Sequence, residues 1–260
     1  MAEPSAQDAL GPPDHFDEPV AARYDDGLGD MGAPQVVERT VDRLVELADG
    51  GPVLEFAIGT GRVALPLAAR GLEVHGLELS PAMVARLREK PGGADLPVTL
   101  GDMATTRLAR SFRLVVLVFN TIMNLTSQPA QVACFRNAAA HLTPGGRFVV
   151  EVSVPQLRRL PPGQTVHPFR IEPGRIGFDE YDVATQGMVS HHMTVTEGTG
   201  RYRAIPFRYV WPAELDLMAQ LAGMRLVHRW AGWQREPFTA DSPSHVSVWQ
   251  KPANDAEGSD

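Results

Sequence analysis

The chain has 260 residues, a formal net charge of −7 and a sequence pI near 5.6, which excludes a general attraction to nucleic acid or to an anionic membrane surface. Its single cysteine, Cys134, excludes an intrachain disulfide and makes a reducing cytoplasm the default; the thiol itself reads as a small buried hydrophobe. The amino terminus lacks a basic region and an apolar run, and no stretch approaches the roughly eighteen consecutive apolar residues of a membrane span. Residues 1–13 and 253–260 are polar, proline-bearing or acidic and read as disordered. The length suits a single α/β unit with a large core.

Residues 16–30 read as a leading helix that carries Arg23, Tyr24 and Asp25. Tyr24 is either a half-buried tyrosine on an amphipathic face or a donor to a bound ligand. In 34–48, Val37, Val41, Leu44, Val45 and Ala48 recur at helical spacing, and Gly50 and Gly51 end the helix. Residues 53–61 then run as an apolar strand through Glu55 and Ala57 into the turn Gly59-Thr60-Gly61, with a helix from Arg62 onward. Glycines at such a turn let the backbone approach a ligand closely, and the helix start supplies unpaired N–H groups.

Two kinds of nucleotide-bearing cofactor fit this turn. Gly59, Gly61 and Ala64, with Glu78 further on, satisfy the loose dinucleotide fingerprint and point to an NAD(P)-dependent oxidoreductase. Glu55 favours the other kind: a carboxylate beside the turn opposes a pyrophosphate but suits a ligand with an amino group or a sulfonium. The alternative for Glu55 is a strand-end acid that accepts backbone hydrogen bonds in the loop.

A second strand, 72–78, ends on Glu78, and Ser80-Pro81 begins a helix as cap and first residue. Two carboxylate oxygens at Glu78 match the two hydroxyls of a ribose diol. A third strand, 97–103, ends in Gly101-Asp102-Met103, an acceptor for an adenine amino group followed by a thioether suited to a ring face. The uninterrupted apolar run 114–119 reads as a central parallel strand. It opens into Asn120, Thr121 and Asn124, polar groups at the carboxyl edge where open α/β sheets bind ligands.

These landmarks, together with Pro144-Gly145-Gly146 and the strand through Glu151, resemble the class I S-adenosylmethionine-dependent methyltransferases over residues 15–153 and the last forty or so. The resemblance implies a Rossmann-like, doubly wound seven-stranded sheet with its last strand antiparallel. It assigns the methionine part of the cofactor to Glu55, Ala57, Gly59, Thr60 and Gly61, the ribose to Glu78, and the adenine to Asp102 and Met103. Leu79, Met83, Phe119, Asn120, Thr121 and Tyr24 complete the implied cofactor set, with Tyr24 on a closing lid. Ala57 stands where the family has its first glycine, so the turn is expected to keep a negative φ there.

Beyond 148–154 the sequence breaks at Pro161-Pro162-Gly163 and gives four strand-like runs at 165–171, 175–182, 188–196 and 201–211, separated by turn signals. This reads as an antiparallel meander, 158–210, inserted after the fifth strand into a core made of 14–157 and 211–252. At the carboxyl edge it would roof the pocket or form a homodimer surface. Within it Val189, His191, Met193 and Val195 share one face, and Ser190, His192, Thr194 and Thr196 the other. His192, on the polar face, is favoured as the pocket histidine. Arg208, Tyr209, Trp211, Trp233 and Phe238 read mostly as packing. Trp211-Pro212 starts a helix that stops at Gly223, and 225–230 with 245–251 form an edge pair.

The expected activity is methyl transfer to a small-molecule acceptor of natural-product type, with a layout similar to the nucleotide-aminosugar N-methyltransferases. His192, Tyr24 and Asn124 are the candidate catalytic residues. That subgroup commonly carries a histidine near the position of Asn124, and an amide cannot act as a base, so nitrogen, oxygen and carbon all stay open as the methylated atom. No metal site is expected, since His191 and His192 point to opposite faces of a strand. The alternatives are the oxidoreductase above and a non-catalytic module whose meander binds a partner; three retained carboxylates at one sheet edge argue against the latter.

Overall fold

The computed structural model describes residues 16–253 apart from Glu197, and the backbone alone at Asp30 and Met31. Of the ends expected to be disordered, 1–13 and 254–260 lie outside the described residues, and only Ala253 is described. A seven-stranded sheet has the order β10-β11-β5-β4-β1-β2-β3. Its strands are β1 (Val53–Phe56), β2 (Val74–Glu78), β3 (Val98–Leu100), β4 (Phe112–Leu117), β5 (Leu142–Ser153), β10 (Arg225–Trp230) and β11 (Ser244–Gln250). β11 runs antiparallel to both neighbours, while β1 pairs in parallel with β2 and β4. Central strands β1 and β4 are buried along nearly their whole length, because helices cover both faces.

One face carries α2 (Pro34–Ala48) and α3 (Ala64–Ala69), with Val41, Leu44 and Leu67 packed against Val53, Leu114 and Val116. The short α4 (Pro81–Arg88) joins this layer through Leu87. The other face carries α5 (Gln128–His141) and α6 (Pro212–Leu221), with Phe135, Leu215 and Met218 against Phe56, Val115 and Phe148. Aromatics at this layer's centre, Phe135 against Phe148 at 5.0 Å and against Trp249 at 5.3 Å, meet edge to face, a preferred ring geometry.

After β5 the chain builds a separate antiparallel sheet of β6 (Val166–Glu172), β7 (Arg175–Asp182), β8 (Gly187–Thr196) and β9 (Thr199–Arg208), in that order. A polar cluster ties its exit to the helices. Buried Arg208 donates to Gln131 of α5, to Gln186 at 2.9 Å and to Glu214 of α6 at 2.7 Å. The sheet's apolar face is its outer one: Met193 is 39% and Val195 47% exposed, whereas Met188 and Ser190 are buried.

Two expectations about the backbone fail. Residues 16–32 form not one helix but α1 (Glu18–Ala21) and two 3-10 turns, Asp25–Gly27 and Gly29–Gly32, since three glycines in that stretch withdraw helix propensity. Ala57 has φ 50°, not a negative value. The peptide after it is committed elsewhere: Ile58 N donates to Leu77 O at 3.1 Å, and Ile58 fills the space above Gly76. Tertiary packing therefore imposes the left-handed conformation on an alanine, at a cost of about 1–2 kcal/mol.

Candidate active site

The carboxyl edge of the large sheet gathers the turns that follow β1, β2 and β4. Five residues there have positive φ: Ala57, Gly59 and Gly61 after β1, and Phe119 and Asn120 after β4. Three of the five are not glycines, and strain of this kind concentrates where a fixed backbone serves a ligand. Glu151 holds the second turn in place, accepting from Phe119 N at 3.1 Å through its carboxylate and from Asn120 N at 3.1 Å through its carbonyl.

Glu55 lies 3% exposed at the end of β1, and one of its carboxylate oxygens is buried without a hydrogen-bond partner. Burial pushes its pKa up to about 8, although Arg62 and the amide of Ala64 pull it down. Ala64 begins α3, so the first amide of this six-residue helix is already taken by a carboxylate. That arrangement occupies the amide a pyrophosphate would need and leaves an acceptor waiting for a donor such as an amino group.

Glu78 is buried at the end of β2 and binds both neighbouring turns, accepting from Gly59 N at 2.8 Å and Ser80 N at 2.9 Å. Burial raises its pKa against the pull of those amides. The amide of Leu79 also bonds this carboxylate, and the acceptor capacity left over can serve a ribose hydroxyl. Leu79 beside it is 61% exposed, an apolar side chain open at the edge. Met83 is buried, its methyl group close beneath Gly59.

Asp102 accepts from Ala104 N at 2.7 Å, which fixes its carboxylate at the end of β3. Met103 packs into the hydrophobic core with Phe56, Leu77 and Phe112 and is buried. Thr121 turns inward to donate to Val118 O at 2.6 Å, and Asn124 donates to Thr121 O at 3.2 Å. Arg62, which sequence reasoning did not single out, lays its guanidinium over the Phe119 ring at 5.1 Å. Its signal was available: a cation directly after Gly61 and within reach of a buried acid.

Residues 16–32 cover this edge. Asp25 accepts from buried Thr60 at 2.6 Å and pairs with Lys90 at 2.6 Å, and Ser80 Oγ donates to Phe16 O at 2.6 Å. Tyr24 is half-buried and packs edge-on against Phe16 at 6.1 Å. Burial pushes its pKa up to about 12, with Arg62, Glu78 and Glu55 all within electrostatic range.

Beneath the second sheet lies a cavity of about 300 Å³. Asn120, Met123 and Ser153 line it from the large sheet, and Asp179, Tyr181 and Ser190 from the small one. Asn120 is anchored there by Ser153, whose N and Oγ both donate to its Oδ1 at 2.7 Å. His192 shares a strand face with Ser190, and its Nε2 lies 3.2 Å from Ser190 Oγ. The residue is exposed overall, but partial burial of the imidazole, with Arg203 and Arg170, lowers its pKa. His191 faces the other way, stacked on Phe178 at 4.5 Å and bonded to Tyr202. Tyr209 lines the cavity, whereas Arg208 pairs with Glu214 and Trp233 donates to Glu151 at 2.7 Å.

The model of the methyltransferase domain family matches residues 53–146. The solved structure of the CcbJ methyltransferase from Streptomyces caelestis is 39% identical, with a TM-score of 0.81, covering 90% of this chain and 96% of that one. The cypemycin N-terminal methyltransferase of a Streptomyces species is 26% identical over 210 residues, 78% of this chain and 84% of its own. The dTDP-4-amino-2,3,4,6-tetradeoxy-D-glucose N,N-dimethyltransferase of Saccharopolyspora spinosa is 32% identical over 143 residues, 54% of each chain. With the glycine turn, the three edge carboxylates and the strand order, these relationships establish that the chain belongs to the class I methyltransferases and uses S-adenosylmethionine as its cofactor.

Proposed function

We propose that the protein transfers a methyl group to a nitrogen of a small-molecule amine of natural-product type, seated between the two sheets. The observation that carries this reading is Asn120, which belongs to the cofactor edge after β4 and also lines the cavity under β6–β9. Nitrogen as the acceptor atom draws support from the relatives, an N-terminal methyltransferase and an N,N-dimethyltransferase of an aminosugar nucleotide.

In this reading Glu55 and the Gly59–Gly61 turn hold the methionine part of the cofactor, with Ala57 shaping the turn. Glu78 holds the ribose, and Asp102 meets the adenine beside Leu79. Phe119, Asn120 and Thr121 form the wall on the side of β4. S-adenosylmethionine supplies an activated methyl group, so the protein mainly provides alignment and a dry site, which together are worth about 7–11 kcal/mol. Tyr24 remains a phenol throughout the working range and serves as a hydrogen-bond donor under the covering segment. Asn124 shapes the turn after β4, and His192 acts on the cavity through Ser190.

Residues 158–210 act as a cap on a core of 14–157 and 211–252. A second copy of the chain covers the cap's outer face, where Ile171 is 76% and Tyr202 60% exposed. Among the described residues no helix is long and apolar enough to cross a membrane. A small-molecule reaction and a buried free cysteine fit a reducing cytoplasm, with neither nucleic acid nor membrane as partner.

The test is incubation with S-adenosylmethionine and a panel of small amines and matched alcohols, read by mass spectrometry. N-methylated products with matching release of S-adenosylhomocysteine are expected, and methylation confined to oxygen would overturn the nitrogen assignment. Sedimentation checks the dimer: wild type should be dimeric and Ile176→Asp monomeric, whereas a monomeric wild type removes the proposal.

A further inference from the structure

Among the described residues that line the cavity, Asp179 carries the one carboxyl group, and none is a lysine or arginine. Its neighbours in the wall are uncharged, and four are aromatic: Phe169, Tyr181, Phe207 and Tyr209. Asp179 sits mid-strand in β7, opposite Ser190 of β8 on one side and His167 of β6 on the other. The Ser190 side chain hydrogen-bonds its carboxylate. Ser190 is itself 6% exposed, and it links onward to exposed His192. A carboxylate fixed between strands and set among aromatic rings has no lysine or arginine in the wall, only the titratable His167 and His191 nearby. An ammonium group would satisfy both the acid and the ring faces, and an anionic ligand would satisfy neither.

We propose that Asp179 anchors the protonated amine of the acceptor and takes its proton before methylation, and that Ser190 and His192 pass that proton to solvent. This rests on the nitrogen reading above. An N–H bond of the ammonium breaks, its electron pair stays on nitrogen as the lone pair needed for attack, and the proton forms an O–H bond on Asp179. Ser190 then accepts from the protonated acid and turns its own hydrogen toward Nε2 of His192. Asp179 is raised in pKa by burial, with Ser190, His167 and His191 opposing the rise, so it is a better base than an exposed aspartate. His192 faces Phe169 at 5.4 Å, with Arg170 of β6, Arg203 of β9 and His191 as its charged or titratable neighbours. The two cations favour rapid release of the proton it receives.

The experiment titrates protein saturated with S-adenosylhomocysteine against cyclohexylamine and, separately, cyclohexanol. Wild type should prefer the amine by about tenfold or more, the scale of one charge-assisted hydrogen bond. Asp179→Asn should bring the two within about twofold while leaving the affinity for S-adenosylhomocysteine unchanged, the latter showing that the fold is intact. A preference that survives in Asp179→Asn, or wild type that shows no preference or binds neither probe, overturns the anchor. Binding that depends on Asp179 without N-methylation of any amine in the panel counts instead against nitrogen transfer, so the two failures separate. The relay is read on the best amine of that panel. His192→Gln should lower kcat about tenfold near pH 7 with little change in KM, and the loss should shrink as pH rises toward the pKa of the amine. An equal loss at every pH overturns the relay.

Discussion

The Asp25 carboxylate accepts the Thr60 hydroxyl at 2.6 Å while also pairing with Lys90 at 2.6 Å, so one acid ties the amino-terminal segment both to the glycine turn and to the end of α4. Among the described side chains of the covering segment, Ala21 is the fully buried hydrophobe, and Phe16 packs edge-on against Tyr24. Asp25→Ala should therefore speed dissociation of S-adenosylhomocysteine by about five- to tenfold, equivalent to roughly 1 kcal/mol, as expected for a half-exposed charged contact. Stopped-flow dissociation measures this. An unchanged rate would mean that the segment closes by other contacts.

Glu55 predicts a proton count. With its pKa raised to about 8 by burial, it is protonated in the empty protein at neutral pH. The stability this gives is present below the ordinary glutamate pKa and is lost as pH rises through about 8. An amino group placed against the orphaned oxygen favours the carboxylate, so cofactor binding should release a proton at pH 7 and none well above pH 8. Calorimetry in two buffers of different ionisation enthalpy counts it. In Glu55→Gln the release should vanish.

His245 has the opposite sign. Burial, with Arg229 adding to it, lowers its pKa to about 4, and its Nε2 is buried without a partner. The folded state holds it neutral, so stability is full above the ordinary histidine pKa and falls as pH drops from about 6.5 toward 4. The shift corresponds to about 3 kcal/mol over that window. Denaturant melts of wild type and His245→Asn between pH 7 and 4 should show a steep loss in the first and a flatter curve in the second. Parallel curves would remove His245 as the source.

Arg208 is buried, its partner Glu214 is half-buried, and the pair is surrounded by amide partners from Gln131 and Gln186. Glu214→Ala leaves the guanidinium without its charge partner and should cost about 3–5 kcal/mol. Replacing both residues by Met and Leu should recover most of that, because an apolar pair of similar volume escapes the desolvation cost. Urea denaturation decides it. A double variant as unstable as the single one would show that the amide network, not the charge pair, holds the second sheet to α5 and α6.

Elements with an unambiguous local pattern were legible. α2 has the bounds that its apolar spacing indicates, β4 follows from its unbroken apolar run, and the second sheet from alternation broken by turns such as Glu172-Pro173-Gly174. The acids Glu55, Glu78 and Asp102 were legible as strand ends. Less was readable where long-range packing overrides local preference. Nothing local distinguishes an alanine at φ 50° from one at negative φ, since the demand comes from Ile58 and Leu77. Asp179 was hidden for a related reason. A charged residue in an alternating strand reads as solvent-facing, and the register that turns it toward the cavity is set by β6 and β8. The outer face of β8 inverts the usual rule as well, because the polar side of that strand covers the site.

The central claim, that the edge carboxylates beside the glycine turn hold S-adenosylmethionine, is tested most directly by calorimetric titration of wild type and Glu78→Ala with S-adenosylhomocysteine, NADH and NADPH. Wild type should bind S-adenosylhomocysteine and neither dinucleotide, and Glu78→Ala should weaken that binding by about 1–3 kcal/mol through lost charge-assisted hydrogen bonds. Unchanged affinity in Glu78→Ala, or binding of a dinucleotide in place of S-adenosylhomocysteine, would contradict it.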